Sequence, residues 1–187
     1  APPRWPAVPP NKAGAFKDTR DRKVSNVYPP LTGAQRGKPI AQLPRNAPAP
    51  GIERYAYRSF DRQWILADNR LGDFLRPDLW AAHSDAQVYL TSLLTKPLGT
   101  GPAVTACAAI PDLDHFSGRG AKDIAPLYRN TAGKEANVLP ELLDLLSKVY
   151  GWKVTPEDFL AYVYGILAQP AFTDRFADEL GTRELRL

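Results

Sequence analysis

The segment PDLDHF, residues 111–116, is the strongest candidate in this chain for a catalytic or metal-binding group. Asp112, Asp114 and His115 place two carboxylates and one imidazole within four consecutive positions. Carboxylates and imidazoles are common metal ligands. A calcium loop needs more ligands and a turning glycine, and a zinc site needs more His or Cys than the two His and one Cys of this chain. The spacing therefore does not predict a metal site.

Motifs for covalent catalysis and group transfer are missing from the sequence. His83 and His115 are the available general bases, and neither lies in a serine or cysteine nucleophile motif. There is no glycine-rich loop between strand and helix for a cofactor, and no Pro-Pro-aromatic loop for an extruded base, since VYPPL has those letters in another order. We therefore expect no catalytic site and no cofactor within these residues.

Basic and polar residues at predicted turns are better suited to binding than to reaction. The turns RSFDRQW and FSGRGAKD contain Arg and Lys, which reach the acceptors of guanine, and Ser and Gln, which pair with base edges. Ion pairs within a solvated turn, Arg58 with Asp61 or Arg62 with Asp68, are an equally open interpretation. The candidates for reading DNA bases are Arg58, Arg62, Gln63, Ser117, Arg119 and Lys122.

Positive charge is concentrated in the amino-terminal third of the chain. Residues 1–62 hold 12 Lys or Arg against 4 Asp or Glu, whereas the remainder holds 12 against 16. Such a block is attracted to DNA phosphate, although basic segments are often simply solvated. The segment AFKDTRDRKV can form one short helix with its basic residues on adjacent faces. The candidates for phosphate contacts are Lys17, Arg20, Arg22, Lys23 and His115.

Proline content divides the chain into an arm and a domain. Eleven of the 19 prolines lie in residues 1–50, which excludes long helices and central strands there. We predict a Pro-rich, extended connecting arm over 1–50 and a folded domain over 51–187. In that domain, IERYAYRSF and QWILAD predict one hairpin, and AQVYLTSLL and PAVTACAAI predict a second pair of strands. The expected result is a small mixed or antiparallel sheet of four or more strands.

The carboxy-terminal third of the sequence predicts about three helices. VLPELLDLLSKVYG repeats apolar residues at helical spacing and is followed by Gly151, a suitable left-handed cap. Thr155, Pro156 and Asp158 form a start signal for the next helix. Pro170 ends that helix and opens a third over AFTDRFADELG. Strands followed by helices make the expected fold class α+β.

The remaining sequence features concern location and redox chemistry. No run of about 18 apolar residues could span a bilayer, and the first ten residues do not resemble a signal peptide. We expect a cytoplasmic protein with no membrane partner. Cys107 has no second cysteine to pair with and lies in a small apolar run, so a buried, inert thiol is expected.

Several segments together resemble a known family. These are YAYRSFDRQWILAD, LRPDLW, QVYLTSLL, HFSGRGAKDIAPLYRN and TPEDFLAYVYGILAQPAFTDRFADEL. They are similar to the carboxy-terminal specificity domain, or target recognition domain, of type ISP restriction-modification enzymes, and the resemblance covers most of the chain. The motif residues are Tyr57, Arg58, Phe60, Asp61 and Trp64, the Pro-Leu-Tyr of 126–128, the Pro-Glu-Asp helix start, Pro170 and Arg175.

The resemblance implies that this chain is the DNA-recognition part of a larger enzyme. In that family an adenine-N6 methyltransferase, sometimes preceded by nuclease and helicase parts, is directed by this domain to a short DNA sequence. The implied partners are double-stranded DNA and the methyltransferase domain, and S-adenosylmethionine is expected in that missing domain. The absence of Met agrees with a piece of a longer protein.

Two other functions remain open at this stage. A module that binds another protein is the first alternative, because Trp5, Trp80 and Trp152 could anchor a partner. A small free-standing enzyme built on Asp112, Asp114 and His115 is the second. Salt-dependent DNA binding would distinguish the DNA interpretation from both.

Overall fold

The computed structural model describes residues 51–68, 71, 75–92, 102, 104–116 and 123–182. The arm predicted over residues 1–50 lies outside them. The described elements are β1 (Ile52–Arg58), β2 (Asp61–Leu66), α1 (Pro77–Ala81), β3 (Tyr89–Ser92), β4 (Val104–Cys107), β5 (Ile110–Pro111), β6 (Asp123–Pro126), α2 (Pro140–Tyr150), α3 (Pro156–Leu167), α4 (Pro170–Arg175) and α5 (Ala177–Thr182). This is the α+β class expected from the sequence.

The predicted hairpin is confirmed and belongs to a small mixed sheet. Strands β1 and β2 are neighbours joined by two residues, and the sheet has the order β2-β1-β5. β5 pairs with β1 in parallel, with Tyr55 opposite Ile110 and Ala56 opposite Pro111. All four of these residues are buried. The parallel pairing therefore attaches the base of the hairpin to a strand more than 50 residues further along the chain.

The second predicted pair of strands is also confirmed, in a separate sheet. β3 is the central strand of the order β4-β3-β6, and it is antiparallel to both neighbours. The short strands β5 and β6 were not predicted. Among the residues that the structure describes, the strands form two sheets of three, where the sequence predicted one sheet of four or more.

Strand β3 is buried on both faces. On one face, Leu90 and Val104 form an apolar cluster with Val163 and Leu167 of α3, against which Phe159, Leu160 and Phe172 also pack. On the opposite face, Tyr89 and Thr91 are completely buried. A strand enclosed in this way has a continuous run of large residues, as in QVYLTSLL. The helical layer thus covers one side of the second sheet.

Helix α2 ends as predicted but is only partly covered. Pro140 occupies its first turn, and Gly151 follows its last residue with φ of 72°, a left-handed conformation that glycine adopts without steric cost. The Gly151 N–H donates to the Ser147 carbonyl at 3.0 Å. Within Pro140–Tyr150, which the structure describes throughout, no side chain is fully buried, and Leu145 and Val149 are exposed.

Helix α3 begins with the predicted capping box. The Thr155 side chain accepts a bond from the Asp158 N–H at 3.2 Å, and the Thr155 N–H donates to the Asp158 carboxylate at 2.9 Å. These reciprocal bonds satisfy two backbone donors at the helix start. Pro170 opens the next helix as predicted, but the helix is interrupted at Phe176, whose φ of −109° separates α4 from α5.

Helix α1 was not predicted, and its tryptophan is buried. Trp80, expected as a possible anchor for a protein partner, is 3% exposed. Its burial in the fold means that it is not available as an anchor on the surface. No helix in the described part of the chain has the length and apolar character needed to cross a lipid bilayer.

The chain divides into two compact units. The described residues of the first fall within Gly51–Arg54 and Gln63–Ala81, and those of the second within Tyr55–Arg62 and from Ala82 onward. The hairpin tip, the second sheet and the carboxy-terminal helices belong to the second unit.

Candidate functional site

The tip of the β1–β2 hairpin presents an unusual aromatic residue. Ser59 and Phe60 connect the strands, and Phe60 has φ of 71°. This left-handed conformation favours Gly or Asn, because a Cβ crowds the neighbouring carbonyl oxygen. The Phe60 side chain is fully exposed, at 106% of its reference area. The tip therefore holds a large apolar group in water on a backbone that is unfavourable for it.

Two predicted base-reading arginines flank this tip. Arg58 is the last residue of β1 and Arg62 is the second residue of β2, and both are exposed. The Arg58 guanidinium carbon lies 5.1 Å from the centroid of the Tyr57 ring, a cation–π distance. The structure thus brings Arg58 and Arg62 to one turn, on either side of Phe60.

Arg62 also influences the single cysteine of the chain. Burial raises the pKa of the Cys107 thiol to about 11, and the positive charge of Arg62 acts in the opposite direction. The Cys107 sulfur lies 3.2 Å from the Ala109 carbonyl oxygen. A thiol with such a raised pKa is almost entirely protonated at neutral pH and is a poor nucleophile, although Cys107 is half-buried and not buried as the sequence predicted.

The first unit contributes a second cationic and aromatic surface. The Arg54 guanidinium carbon lies 4.2 Å from the centroid of the Trp64 ring, and both side chains are exposed. Gln63, the third predicted base reader described by the structure, precedes Trp64 and is also exposed. Sequence reasoning treated Trp64 only as a motif residue and missed its stacking with Arg54. The available signal was the identity of the two residues, since Arg stacks readily on indole.

Asp112 fastens the base of the hairpin. The Tyr55 hydroxyl donates to the Asp112 carboxylate at 2.6 Å, and the Asp112 N–H donates to the Ala56 carbonyl at 3.0 Å. The same carboxylate accepts the Asp114 N–H at 2.7 Å, which closes a local turn. We call Tyr55, Ala56, Asp112 and His115 the hairpin latch. The Asp112 side chain thus makes bonds that hold β1.

His115 completes the hairpin latch. It is 5% exposed, with Nδ1 3.2 Å from the Ala56 carbonyl oxygen and Nε2 3.3 Å from the Thr105 hydroxyl. A carbonyl oxygen only accepts, so this bond places the imidazole proton on Nδ1 and leaves Nε2 as the acceptor. Burial lowers the pKa of His115, which favours the neutral ring. This placement favours a structural role over the phosphate contact predicted from the sequence.

The segment 112–115 does not assemble a metal centre. In the residues that the structure describes, no group of three or more His, Cys, Asp or Glu side chains is arranged to hold a metal ion. The Asp112 carboxylate and Nδ1 of His115 face groups of the hairpin latch, and Nε2 of His115 faces the Thr105 hydroxyl.

A buried amide organises the connection before β3. Gln87 is 1% exposed, and its Nε2 donates to the carbonyl oxygens of Ala82 at 2.6 Å and Tyr128 at 2.8 Å. Its Oε1 accepts the N–H groups of Tyr128 at 2.9 Å and Val88 at 3.2 Å. Every polar position of the Gln87 amide is therefore used, which makes it a cross-link between two loops. The sequence did not predict this role for Gln87, because no local sequence pattern distinguishes a buried Gln from an exposed one.

Tyr128 extends this link to the helical layer. Its hydroxyl donates to the Glu157 carboxylate in the first turn of α3. That bond, with a smaller effect of burial, raises the pKa of Tyr128 to about 12, and it lowers the pKa of Glu157. The Pro-Leu-Tyr and Pro-Glu-Asp motifs of the sequence thus meet in space. The contact between the two motifs links a loop to helix α3, and it lies outside the hairpin tip.

Most of the other predicted contacts lie outside the described residues. Arg58, Arg62, Gln63 and His115 have positions in the structure, as given above. The predicted sites not described are Ser117, Arg119 and Lys122 of the second predicted turn and Lys17, Arg20, Arg22 and Lys23 of the predicted arm.

The described residues form two three-stranded sheets, a helical layer and an exposed hairpin tip with two arginines, and they have the α+β class. The chain belongs to the family of type ISP C-terminal specificity domains, whose model matches residues 10–187. This confirms the family indicated by the sequence motifs. A comparison with curated proteins found no match.

A solved structure supports the same fold. The chain is similar to a chain in the cryo-EM structure of a DrdV–DNA complex, with a TM-score of 0.54 and 23% sequence identity. The similarity covers 73% of this chain and 13% of that chain, so the present chain spans a small part of the larger protein. At this level of identity the likeness shows the fold.

Proposed function

We propose that this chain recognises double-stranded DNA as the specificity domain of a larger type ISP restriction-modification enzyme. The observation that carries the proposal is the exposed hairpin tip, with Arg58 and Arg62 on either side of the turn. Membership of the specificity-domain family and the DNA bound to the structurally similar DrdV support it. No catalytic role is assigned to the residues of this chain.

The exposed tip of a two-stranded hairpin is an element suited to direct readout of base edges. A two-stranded ribbon fits the major groove of B-DNA, where Arg can pair with O6 and N7 of guanine and Gln can pair with adenine. We assign this role to Arg58, Arg62 and Gln63, with Ser117, Arg119 and Lys122 as further candidates. Each bidentate pair contributes about 1–3 kcal/mol of discrimination against the wrong base.

Base reading requires a tip that is held in place. The hairpin latch and the parallel pairing of Tyr55 and Ala56 with β5 hold the strand from which Arg58 projects. A binding residue on an anchored strand loses less conformational entropy on association than one on a mobile loop. The hairpin latch therefore acts on recognition indirectly, by positioning the arginine.

Phosphate contacts and catalysis are assigned to other regions. Lys17, Arg20, Arg22 and Lys23 are our candidates for phosphate binding, which fixes register without reading sequence. We further propose that the complete protein contains an adenine-N6 methyltransferase domain that binds S-adenosylmethionine and contacts this domain. A cytoplasmic location, where the enzyme meets DNA, is part of the same proposal.

The test is selection from a randomised duplex pool by the longest natural polypeptide that contains this chain. Enrichment of one short sequence is expected, with affinity that falls as salt concentration rises. Arg58→Ala and Arg62→Ala should relax the enriched sequence at one position each, whereas Lys148→Ala, an exposed lysine on α2, should leave it unchanged. The proposal is refuted if no sequence is enriched and the affinity for duplex DNA does not change with salt concentration.

A second function is supported by the surface of the helices. Leu145, Val149, Tyr150 and Trp152 are exposed apolar residues on and just after α2. Apolar groups concentrated on one element are typical of a protein interface. In our proposal this surface contacts another domain of the same polypeptide. Val149→Lys should then weaken association with that domain and leave the enriched DNA sequence unchanged.

A further inference from the structure

Phe60 combines two features that disfavour a phenylalanine at its position. Its φ of 71° belongs to the region where Gly or Asn normally occurs at the second residue of a turn. Its side chain is fully exposed and gains nothing from burial in the free protein. Backbone conformations of this kind concentrate at ligand-binding sites. These features point to a contact that Phe60 makes only with a partner.

The surroundings of Phe60 indicate what that partner is. Arg58 and Arg62 flank it, and the exposed ring of Tyr57 lies beneath the Arg58 guanidinium. An apolar residue with an arginine two positions before it and another two positions after it suits the DNA duplex, whose stacked bases lie between two rows of phosphates. A purely apolar protein surface would offer no acceptors to the two guanidinium groups. The positive charge therefore favours DNA as the partner that contacts this tip.

The base of the hairpin is attached to the rest of the second unit close to the tip. Tyr55 and Ala56 are buried and hold the hairpin through Asp112 and His115. A side chain that enters a base stack must withstand the force that restores stacking, so its backbone needs support close to the tip. Only two residues, Tyr57 and Arg58, separate Ala56 from Ser59, the first residue of the turn.

We propose that Phe60 is a wedge that inserts between adjacent base pairs when the domain binds its DNA site. The inference rests on the proposed DNA recognition and adds a mechanism to it. Apolar wedges such as Phe partly unstack one base step and bend the duplex, and they read its deformability in addition to its base edges. Arg58 and Arg62 then contact groups on either side of the opened step.

Insertion is tested with two duplexes that differ only in the free energy needed to unstack one base step. Both duplexes carry the enriched sequence with 2-aminopurine beside its centre, and one is fully matched while the other has a single mismatch at that centre. Unstacking is least costly at a mismatch, so the unaltered protein should bind the mismatched duplex about tenfold more tightly. Its binding should also raise 2-aminopurine fluorescence, because the base is released from its stack.

Variants of Phe60 separate insertion from general binding. Phe60→Gly suits the backbone and removes the ring, so it should abolish both the mismatch preference and the fluorescence rise. Phe60→Leu keeps an apolar side chain and should retain part of each, which tests the wedge with a side chain still in place. Tyr162→Ala, at an exposed tyrosine of α3, is the matched control and should change neither.

The outcomes distinguish this inference from the proposed function. If Phe60→Gly keeps the mismatch preference and the fluorescence rise, the wedge is excluded, while DNA recognition stands. Equal binding of both duplexes by the unaltered protein, without a fluorescence rise, also excludes the wedge and leaves DNA recognition in place. If the unaltered protein binds no duplex, both the wedge and the proposed function are overturned. Arg58→Ala should weaken binding to both duplexes and preserve their ratio.

Discussion

The hydroxyl of Tyr55 donates a hydrogen bond of 2.6 Å to the carboxylate of Asp112, across 57 positions of sequence. Tyr55 lies in β1, and Asp112 immediately follows β5. The bond therefore supports the parallel pairing of these two strands at the base of the hairpin. Its removal tests how strongly the hairpin depends on this attachment.

Tyr55→Phe should lower the free energy of unfolding by about 1–2 kcal/mol. The substitution removes only the hydroxyl and leaves the Asp112 carboxylate without one of its donors. Urea denaturation followed by circular dichroism measures the change. Tyr162→Phe, at an exposed position of α3, should have an effect within about 0.5 kcal/mol. Equal effects of the two substitutions would contradict the role of the latch.

Gln87→Leu should be more destabilising, by about 3 kcal/mol. The leucine fills a similar volume but leaves the carbonyl oxygens of Ala82 and Tyr128 and the N–H of Tyr128 without the Gln87 amide. Thermal and urea denaturation should both report the loss. Gln169→Leu is the control, because Gln169 is exposed and makes no side-chain cap bond. A Gln87→Leu protein as stable as the Gln169→Leu protein would show that the amide bonds contribute little.

The capping box of α3 should make stability depend on acidic pH. Bonds from the backbone and side chain of Thr155 hold the pKa of Asp158 below its ordinary value of 3.8. A carboxyl group whose pKa is lower in the folded state stabilises that state when the pH is above the pKa of the unfolded state. This contribution is lost as the pH falls through the pKa of the folded state. Unfolding of the unaltered protein should therefore become easier below about pH 4.

The Asp158→Asn variant isolates this contribution. Its stability should be lower than that of the unaltered protein at pH 7, and the difference should shrink as pH falls below the ordinary carboxyl range. Urea midpoints measured at several pH values provide the comparison. Thr155→Ala should cost about 1 kcal/mol at neutral pH through loss of the same cap. A difference between Asp158→Asn and the unaltered protein that stays constant with pH would exclude the ionised cap.

Phe60→Gly should raise stability even though it replaces a large side chain. The exposed ring contributes no burial, and glycine adopts φ of 71° without the cost of about 1 kcal/mol that a Cβ adds. Ser59→Gly is the neighbouring control; Ser59 is not among the residues with positive φ, so its replacement should lower stability. Denaturation midpoints that shift in opposite directions would support the strain at Phe60. A loss of stability in Phe60→Gly would contradict it.

Local signals account for the parts of the fold that were predicted from sequence. Gly151 and the Thr155–Asp158 capping box mark helix ends through bonds between residues close in sequence, and both were identified correctly. The hairpin was identified from its two apolar runs and the short polar break between them. These features need no knowledge of the rest of the chain.

Long-range contacts account for the parts that were missed. β5 has only two residues and is defined by its pairing with Tyr55 and Ala56, which no local pattern reveals. The division into two sheets follows from such pairings. His115 was predicted from the sequence to contact phosphate. In the structure its two nitrogens face Ala56 and Thr105, which lie 59 and 10 positions away in the sequence. A buried Gln87 is hidden from sequence reasoning for the same reason.

The arrangement of the β1–β2 hairpin separates the residues that hold it from those that face outward. Tyr55 and Ala56 are buried, whereas Tyr57, Arg58 and Phe60 are exposed. Substitutions at the exposed positions therefore leave the core packing unchanged, and they carry little penalty in folding. Side chains at the tip can therefore be exchanged one at a time while the buried residues that support the hairpin remain in place.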